Sequence, residues 1–406
     1  MSAFFQQHGL RRVINASGTE TVHGASRCSP AVVEAVCDIL PSWVEIADLQ
    51  RAASETIAAV TGAEAGIVTG CSAAGISICV AAAMTGQDLA KVEQLPDTAG
   101  MKKRVVLQKG HEVNFGAPVS QMVRIAGAEV IEIGTATSCA VFQLEAALNG
   151  EVAAALYVIS HHTVQSGMID LATFCAICRK HGVPVIVDAA AEYDWPAMIA
   201  AGATAVIFSA QKAAAGTTAG IIAGEEAFIR ACYYQDRGVG RVMKAGKESI
   251  AGAMAALAQW QAADRAAIER GEEERLAQVE TLLAGIPGLR LERQPDPPGN
   301  PFERLMLHVD AAVAGLNAHQ LGEALAAGDV KVVLRSLHAD RGYLLFDVRR
   351  IDDAELRLIT DKVRGLLAKA TEASAASPVP SKGDVARRAL EAWPARSPQK
   401  ISADTA

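Results

Sequence analysis

The sequence predicts an α/β protein: a mainly parallel sheet with helices on both faces, followed by a smaller C-terminal α+β domain. Between residues 104 and 210, short apolar runs alternate with helical patterns, which is typical of strands joined by helical crossovers. Half of the 406 residues are apolar but only 4% are aromatic, so small side chains that allow close helix–sheet packing dominate. Polar residues directly follow several of the apolar runs, at the edge where parallel sheets bind ligands.

The first 45 residues are expected to form an N-terminal arm and a helix at 30–39. The arm is predicted to be irregular as far as Pro30. It carries uncharged polar side chains such as Asn15 and His23, which favour an arm that folds over an active site rather than a plain surface extension. A further helix is predicted over 44–60.

A large domain is predicted over residues 46–285, and its first chemical feature is a turn of small residues. A strand at Gly66–Val68 precedes this turn, and an Ala-rich helix at Ala73–Met84 follows it. Unpaired backbone N–H groups and the helix dipole at such a helix start can cradle a phosphate. The spacing matches neither the Walker pattern nor GxGxxG, so ATP and NAD fit poorly. Ordinary capping of the helix by Thr69 or Ser72 is the alternative interpretation.

Strands and helices alternate regularly from residue 104 onward. The predicted strands are RVVLQ, AEVIEIG, AAALYVIS, PVIVDAA and AVIFS, in chain order. Because the carboxyl ends of parallel strands meet at one edge of a sheet, the polar residues after these strands should share a crevice. The residues expected there are His111, Ser160, His161, Asp188 and Lys212.

Lys212 lies between two short apolar runs, Val206–Phe208 and Ile221–Ala223. A lone ammonium between two buried strands is unfavourable unless it is neutralised, paired or covalently consumed. A covalent bond to an aldehyde would consume it, and the neighbouring hydroxyl groups could hold a phosphate. The segment therefore suggests a pyridoxal 5'-phosphate (PLP) lysine. A lysine in an ordinary surface hairpin is the alternative.

Asp188 directly follows the apolar run PVIV, so its carboxylate should be largely buried. A buried carboxylate needs a cationic or hydrogen-bonding partner, and a protonated pyridine nitrogen would serve. Capping of the next helix is the alternative role. His111 could stack on a pyridine ring, bind a substrate oxygen, or be structural. We predict no metal site at His161 and His162, because adjacent residues of a strand point to opposite faces and because no further His or Cys cluster lies at ligand spacing.

Composition limits the classes of function and the cellular location. The net charge of −7 argues against nucleic-acid binding, which requires a basic surface. There is no apolar run of membrane-spanning length, and the first residues lack a signal-peptide pattern, so a cytoplasmic protein without membrane association is expected. The eight cysteines show no framework spacing, which fits reduced thiols. Cys175 and Cys178 form a CxxC, but within a helical pattern that favours two thiols one turn apart.

The C-terminal half begins with several cations, of which Arg241 and Lys244 could contact an anionic substrate or could belong to a solvated face. One long helix is predicted over 250–284. A small α+β domain is expected over 286–370. The segment 371–406 is rich in Ala, Ser, Pro and Lys and is expected to be a flexible tail with a short helix at Val385–Trp393.

Six motifs together resemble the fold-type I PLP-dependent enzymes, and more narrowly the group of selenocysteine synthase and D-glucosaminate-6-phosphate ammonia-lyase. They are RVINASGT, TGCSAAGISICVAAAMTG, KGHEVNFG, VIVDAAAEYD, FSAQKAAAGTTAGIIAG and GVGRVMKAGKE. The resemblance covers roughly residues 10–370. It implies the aspartate aminotransferase fold, with a seven-stranded, mainly parallel sheet.

The resemblance also implies a role for each matching position. Lys212 would bond the cofactor aldehyde and move the substrate Cα proton, and Asp188 would hold the pyridinium. The implied phosphate contacts are Cys71, Ser72, Ala73 and Ser209. His111 lies at the ring-stacking position, and Ser160 or His161 lies near the ring hydroxyl. Gly216 and Thr217 would approach the phosphate of a neighbouring subunit, which implies a homodimer or a larger homo-oligomer.

The expected function is that of a PLP-dependent lyase, which takes the Cα proton from a hydroxy-amino acid, expels the β-substituent and releases ammonia and a 2-oxo acid. Arg241, Lys244, Arg335 and Arg349 are the candidate ligands for the anionic groups of this small-molecule substrate. A racemase or aldolase would share the opening steps. A selenium transferase is disfavoured by the acidic composition and by the lack of the extra N-terminal tRNA-binding domain. A non-catalytic PLP-binding protein is the remaining alternative.

Overall fold

The computed structural model describes residues 3–370, 380–391 and 393, which form two compact units. The first unit contains the N-terminal segment up to Gly24, Asp264–Asp296 and the described residues from Pro301 on. The second unit contains Ala25–Ala263 and Pro297–Asn300. The domain boundaries expected from the sequence, at residues 45 and 285, differ from these.

The strands are β1 (Arg12–Ala16), β2 (Ala65–Thr69), β3 (Arg104–Gln108), β4 (Glu129–Ile133), β5 (Val152–Val158), β6 (Val185–Asp188), β7 (Ala205–Ser209), β8 (Gly220–Gly224), β9 (Leu289–Pro295), β10 (Glu303–Val309), β11 (Val330–Leu334) and β12 (Tyr343–Phe346). The helices are α1 (Ala3–Gln7), α2 (Pro30–Ile39), α3 (Ile46–Thr61), α4 (Ser72–Thr85), α5 (Leu89–Gln94), α6 (Val119–Ile125), α7 (Val141–Ala147), α8 (Leu171–Lys180), α9 (Trp195–Ala200), α10 (Glu226–Tyr234), α11 (Lys247–Ala262), α12 (Arg265–Leu283), α13 (Ala311–Ala314), α14 (Ala318–Ala326), α15 (Asp353–Lys369) and α16 (Lys382–Glu391). None of these helices combines the length and the apolar character needed to cross a membrane.

The second unit is built on a seven-stranded sheet in the order β2-β8-β7-β6-β5-β3-β4. The strands run parallel except β8, which is antiparallel to both β2 and β7. Asp188 at the end of β6 pairs with Val158 of β5 and Ile207 of β7, so the carboxyl ends of these strands are level. The predicted α/β fold with a mainly parallel sheet is confirmed.

Both faces of this sheet are buried, and alternate residues of each strand enter different cores. Val106, Val187 and Phe208 belong to one core, whereas Leu107 and Ile207 belong to the other. This alternation follows from the two-residue period of a strand. Strands buried on both faces read as continuous apolar runs, which is why the sequence pattern revealed them.

Helix α4 is buried on nearly all sides, because its small side chains allow it to lie close to the sheet. Gly75 shows how close: a Cβ atom there would lie 2.8 Å from Cγ2 of Ile207. The position of α4 matters for function because its N-terminus carries the predicted phosphate turn.

The first unit contains a three-stranded antiparallel sheet, β12-β10-β9, and a parallel pair formed by β1 and β11. The N-terminal arm is therefore not irregular throughout, since β1 pairs with a strand more than 300 residues away. This strand escapes sequence analysis because it is short and its pairing partner lies far along the chain. Helix α12 packs on β9, β10 and α15.

The single long helix predicted over 250–284 is wrong. Helix α11 ends at Ala262, Ala263 is extended, and the Asp264 side chain accepts a hydrogen bond from the N–H of Ala267 to start α12. Two helices with one apolar pattern look continuous in sequence unless the capping residue is recognised. The predicted tail falls largely outside the described residues, and α16 is the short helix expected near 385–393.

Replacing Gly75 by Ala should destabilise the protein by about 1–3 kcal/mol, because the added methyl group overpacks the contact between α4 and Ile207. Gly365→Ala in α15 is the matched control, since a Cβ there meets no atom within 4 Å. This control should stabilise by about 0.5–1 kcal/mol through helix propensity. Urea unfolding of both variants measures the two effects. If Gly75→Ala and Gly365→Ala had the same free energy of unfolding, the close packing described for α4 would be contradicted.

Candidate active site

The carboxyl ends of β3, β5, β6 and β7 bring several predicted site residues to one edge of the large sheet. His111 lies in a short 3-10 helix directly after β3, and Asp188 ends β6. Lys212 lies in the turn after β7, and its charge opposes the rise in the pKa of Asp188, so the two side chains interact electrostatically. Asp188 therefore ends one strand and Lys212 follows its neighbour, at the same edge of the sheet, while their joint role stays a prediction.

Asp188 is the buried carboxylate of this edge, with 5% of its surface exposed. Burial raises the pKa of Asp188 from 3.8 to about 6, opposed by the charge of Lys212 and by the Ala190 N–H. One oxygen, Oδ1, is buried and has no hydrogen-bond partner among the described residues. An unsatisfied buried carboxylate oxygen fits a cationic N–H donor such as a protonated pyridine nitrogen.

His111 is held as a neutral ring by its surroundings. Its Nδ1 accepts a hydrogen bond from the Val158 N–H at 3.3 Å, which places the ring proton on Nε2. Burial lowers the pKa of His111 to about 4. The ring meets Tyr157 edge to face, with the centroids 4.5 Å apart. A neutral, fixed imidazole is suited to stacking on a flat ring.

The small-residue turn before α4 has the form of an anion cradle. Cys71 caps the helix, and its Sγ accepts a hydrogen bond from the Ala74 N–H at 3.4 Å. The Oγ of Ser72 is buried without a hydrogen-bond partner within the described part of the chain. The first N–H groups of α4, including that of Ala73, have no partner within the helix. An unsatisfied hydroxyl beside these N–H groups fits a phosphate.

Gly220 and hydrogen bonds to the Met243 carbonyl hold this turn in place. A Cβ atom at Gly220 would lie 2.3 Å from both C and O of Cys71, so glycine is required for β8 to approach the turn. Thr69 Oγ1 and the Gly70 N–H both donate to the carbonyl of Met243, at 2.9 and 2.8 Å. Ser209 pairs with Gly220 across the sheet, which places Ser209 one strand away from the turn.

The Lys212 turn is tightly constrained. The Lys212 N–H donates to the Ser209 carbonyl at 3.3 Å, and the Gly216 N–H donates to the Ala210 carbonyl at 2.8 Å. Ala215 has a φ of 55°, a left-handed conformation that costs a non-glycine residue free energy. Ser26 Oγ donates to the Lys212 carbonyl at 3.4 Å. Sequence analysis missed Ser26, whose contact with the turn can be found only in the folded chain.

Three other predicted positions have structural contacts of their own. Thr217 Oγ1 donates to the Ser249 carbonyl at 3.1 Å, and a Cβ on Gly216 would lie 2.8 Å from that of Ala256. Ser160 Oγ accepts the His162 N–H at 3.2 Å. The approach of Gly216 and Thr217 to a neighbouring phosphate stays a prediction.

The expectation that His161 and His162 point to opposite faces of a strand is wrong. Strand β5 ends at Val158, and both histidines lie in the turn that follows. Their rings are not on opposite faces but lie 3.9 Å apart. Among the described residues, no group of three or more His, Cys, Asp or Glu side chains is arranged to hold a metal ion. Cys175 and Cys178 are buried free thiols in α8, as the helical pattern indicated.

Arg241 and Lys244 are exposed cations, and Lys244 lies beside the small-residue turn before α4. Lys244 forms an isolated antiparallel bridge with Thr69, and Arg241 lies three residues earlier. Both lie close enough to Asp236 to oppose the rise that burial causes in its pKa. Lys247 has a different role, since its Nζ donates to the carbonyls of Leu40 and Ser42.

Arg335 and Arg349 lie together in the first unit. Arg349 Nε donates to Asp347 Oδ1 at 2.9 Å, and Arg304 Nε donates to Asp347 Oδ2 at 3.3 Å. Burial alone would raise the pKa of Asp347, but Arg349 and Arg304 hold it well below its usual range. We call Arg304, Arg335, Arg349 and Asp347 the arginine cluster.

Replacing Asp188 by Asn should stabilise the cofactor-free protein at pH 8 by roughly 3 kcal/mol, the free-energy equivalent of a pKa of about 6 against 3.8 in the unfolded chain. The folded pKa is raised, so the cost of ionising Asp188 is fully present above pH 6. The advantage of the variant should therefore vanish as the pH falls from 6 to 4.

Denaturant unfolding from pH 4 to pH 8 measures this effect. Asp361→Asn, at an exposed position of α15, is the control and should show no such pH dependence. A variant that is less stable than the wild type at pH 8 would contradict the burial of an ionised carboxylate.

Comparison with known proteins places this geometry in a family. Residues 13–276 match the family described as "SelA: L-seryl-tRNA selenium transferase". The chain is 36% identical to D-glucosaminate-6-phosphate ammonia lyase of Salmonella typhimurium, over 91% of this chain and 99% of the relative. It is 35% identical to a 5'-C-glycyluridine monooxygenase-decarboxylase of Streptomyces sp., over 86% and 88% of the two chains.

Solved structures agree with the sequence relatives. A structure of D-glucosaminate-6-phosphate ammonia-lyase superimposes with a TM-score of 0.83 at 36% identity, covering 91% of this chain and 99% of that one. An aspartate aminotransferase from Thermotoga maritima, 15% identical, shares the fold with a TM-score of 0.52 over 90% and 94% of the two chains. The expected fold type and enzyme class, an ammonia-lyase type, are confirmed. The chain belongs to the L-seryl-tRNA selenium transferase family of fold-type I enzymes.

Proposed function

We propose that this protein is a PLP-dependent lyase that converts a 2-amino-3-hydroxy acid into a 3-deoxy-2-oxo acid and ammonia. The observation that carries the proposal is the buried, unsatisfied Asp188 carboxylate beside Lys212, at the edge of the sheet that also carries the anion cradle of α4. Similarity to D-glucosaminate-6-phosphate ammonia lyase supports a polyhydroxy, phosphorylated amino acid as the substrate class.

Each residue at the carboxyl edge of the sheet would have a separate role in cofactor binding or proton transfer. Asp188 would keep a proton on the ring nitrogen of the cofactor, because a buried carboxylate is stabilised by that positive charge. When bound, PLP would supply an electron sink for the negative charge left at the substrate Cα. Lys212 would hold the cofactor through its amine and would take the Cα proton. Neutral His111 would hold the ring without competing for its proton.

The remaining predicted residues bind the cofactor and the anionic groups of the substrate. Cys71, Ser72 and Ala73 would hold the cofactor phosphate with Ser209, while Ser160 or His161 would contact the ring hydroxyl. Arg241 and Lys244 are suited to a substrate phosphate because they are exposed and lie beside Thr69. Arg335 and Arg349 are suited to the substrate carboxylate, since guanidinium groups match carboxylates in geometry.

The assembly and location of the enzyme are part of the proposal. A homodimer or larger homo-oligomer belongs to the proposal because Gly216 and Thr217 match positions that are expected to approach the phosphate of a neighbouring subunit. A cytoplasmic location is supported by eight cysteines that are all free thiols.

Lys212→Ala should abolish both the visible absorbance of the purified enzyme and its turnover, because no other described group takes the place of this amine. The measurements are an absorbance spectrum and assays of ammonia and 2-oxo acid with D- and L-hydroxy-amino acids, phosphorylated and unphosphorylated. Lys180→Ala, on the surface of α8, is the control and should leave both unchanged.

Solvent deuterium distinguishes the alternatives. A lyase incorporates deuterium and releases ammonia, whereas a racemase exchanges the Cα proton without forming a 2-oxo acid. Oxygen uptake with release of carbon dioxide would instead indicate the reaction named for the Streptomyces relative. If no substrate of the panel loses its Cα proton, the proposed enzymatic function is wrong.

Neutralising Arg241 or Lys244 with glutamine should raise KM for a phosphorylated substrate roughly 10- to 100-fold, the equivalent of one charge-assisted hydrogen bond. The unphosphorylated analogue is the internal control, and its kcat/KM should change by less than twofold. Steady-state kinetics with both substrates measures the difference. Equal losses for the two substrates would show that these cations do not bind the phosphate.

A further inference from the structure

The arginine cluster of the first unit is buried, and its internal carboxylates are firmly bound. Asp347 accepts hydrogen bonds from the side chains of Arg304 and Arg349 and from the Arg349 N–H at 3.1 Å. Arg304 Nη1 also donates to Asp296 Oδ1 at 2.7 Å. Both carboxylates are almost fully buried and hydrogen-bonded, so removing either would leave a buried guanidinium unbalanced, and both are part of the structure of the cluster.

Arg335 and Arg349 converge on the backbone of Gly18. The point where a Cβ of Gly18 would lie is 3.5 Å from Nη2 of Arg335 and 3.5 Å from Nη2 of Arg349. The two Nη2 atoms are therefore at most twice that distance apart. Gly18 has a φ of +96°, and its missing side chain keeps this approach open.

Glu20 is the partner of Arg335 that differs from the buried carboxylates. Its Oε1 lies 3.7 Å from Arg335 Nε, beyond hydrogen-bond distance, and the same Nε donates to the Ser17 carbonyl at 3.0 Å. The Glu20 side chain is 34% exposed, whereas that of Arg335 is 9% exposed. Glu20 thus balances the charge of Arg335 from the rim of the cluster.

The backbone that carries Glu20 is fixed, so only its side chain is able to move. The Asn15 side chain donates to the Gly18 carbonyl at 2.8 Å and accepts the Ser17 N–H at 3.0 Å. The Glu20 N–H donates to the Gly18 carbonyl, and the Ala16 carbonyl accepts the Asp347 N–H at 2.9 Å. This arrangement accounts for the NASGTE stretch, whose role the sequence left open.

We propose that Glu20 is an internal placeholder: its carboxylate neutralises Arg335 when the cluster holds no ligand, and it swings into solvent when the carboxylate of a ligand takes its place. A buried guanidinium needs a counter-anion in both states, and the exchange leaves the net charge of the cluster unchanged. The proposal rests on the proposed function only in naming the substrate carboxylate as the natural ligand.

The alternative is that Glu20 orients Arg335 for ligand binding, and it predicts the opposite change in carboxylate affinity when Glu20 is replaced. If Glu20 were a clamp that holds Arg335 in its binding orientation, its loss would weaken carboxylate binding. If Glu20 competes for Arg335, its loss should tighten binding. Since a partly exposed ion pair of this kind contributes at most about 1 kcal/mol, the expected gain in affinity is roughly two- to fivefold.

The test is a titration of the full-length, PLP-loaded protein with [1-¹³C]acetate, followed by ¹³C NMR line broadening in 0.15 M NaCl. Glu20→Gln should lower the Kd for acetate two- to fivefold relative to the wild type. Glu323→Gln removes the same charge from an exposed position of α14 and should leave the Kd unchanged. In an Arg335→Gln background, Glu20→Gln should no longer change the Kd for acetate. Arg335→Met, which removes the charge at a similar side-chain volume, serves if the glutamine variant does not fold.

An unchanged or higher Kd for acetate in Glu20→Gln overturns the proposal. A two- to fivefold fall in this Kd in Glu323→Gln would overturn it as well. An equal gain for inorganic phosphate would overturn the assignment to a carboxylate. The acetate titration requires no turnover, so it is decided independently of the lyase assays. An active lyase in which Glu20→Gln does not tighten acetate binding would refute only the placeholder, and an inactive protein with the expected acetate shift would refute only the proposed function.

Discussion

The attraction between a buried carboxylate and a lysine at the end of neighbouring strands is the interaction on which the site depends. Asp188 is buried deeply enough for its pKa to rise to about 6, and the charge of Lys212 limits that rise. The fold thus maintains a carboxylate with one unsatisfied oxygen, at a free-energy cost. A cationic ligand that donates a hydrogen bond there recovers this cost, which couples cofactor binding to the stability of the second unit.

The close approach of backbone segments is the second requirement of the site. Gly220 lets β8 pass within contact distance of Cys71, and Gly75 lets α4 lie against Ile207. These contacts fix the N-terminus of α4 relative to the ends of β6 and β7. Because the sheet already holds the start of this helix rigidly, anion binding there does not require the loss of conformational entropy that ordering a mobile loop would cost.

Family relatives show how widely one such site can be used. The relatives of this chain include an ammonia lyase, a monooxygenase-decarboxylase and selenium transferases. Reactions of this kind diverge after a common beginning, so the groups that bind the rest of the substrate must decide the outcome. In this chain the cations beside Thr69 and the arginine cluster are the groups that we propose for this role, together with the polar turn that carries Glu20.

The sequence by itself determined the large sheet and the residues at its ligand-binding edge, because strands buried on both faces are continuous apolar runs and the polar residues after them stand out. Asp188 ends β6 and Lys212 follows β7, as this pattern indicates, while their roles toward a cofactor stay a prediction. Only the tertiary structure revealed β1, the break at Asp264 and the contact of Ser26 with Lys212. Likewise, the pairing of Glu20 with Arg335 joins residues more than 300 positions apart. Such contacts depend on how distant segments fold together, and no local pattern of apolar spacing or capping encodes them.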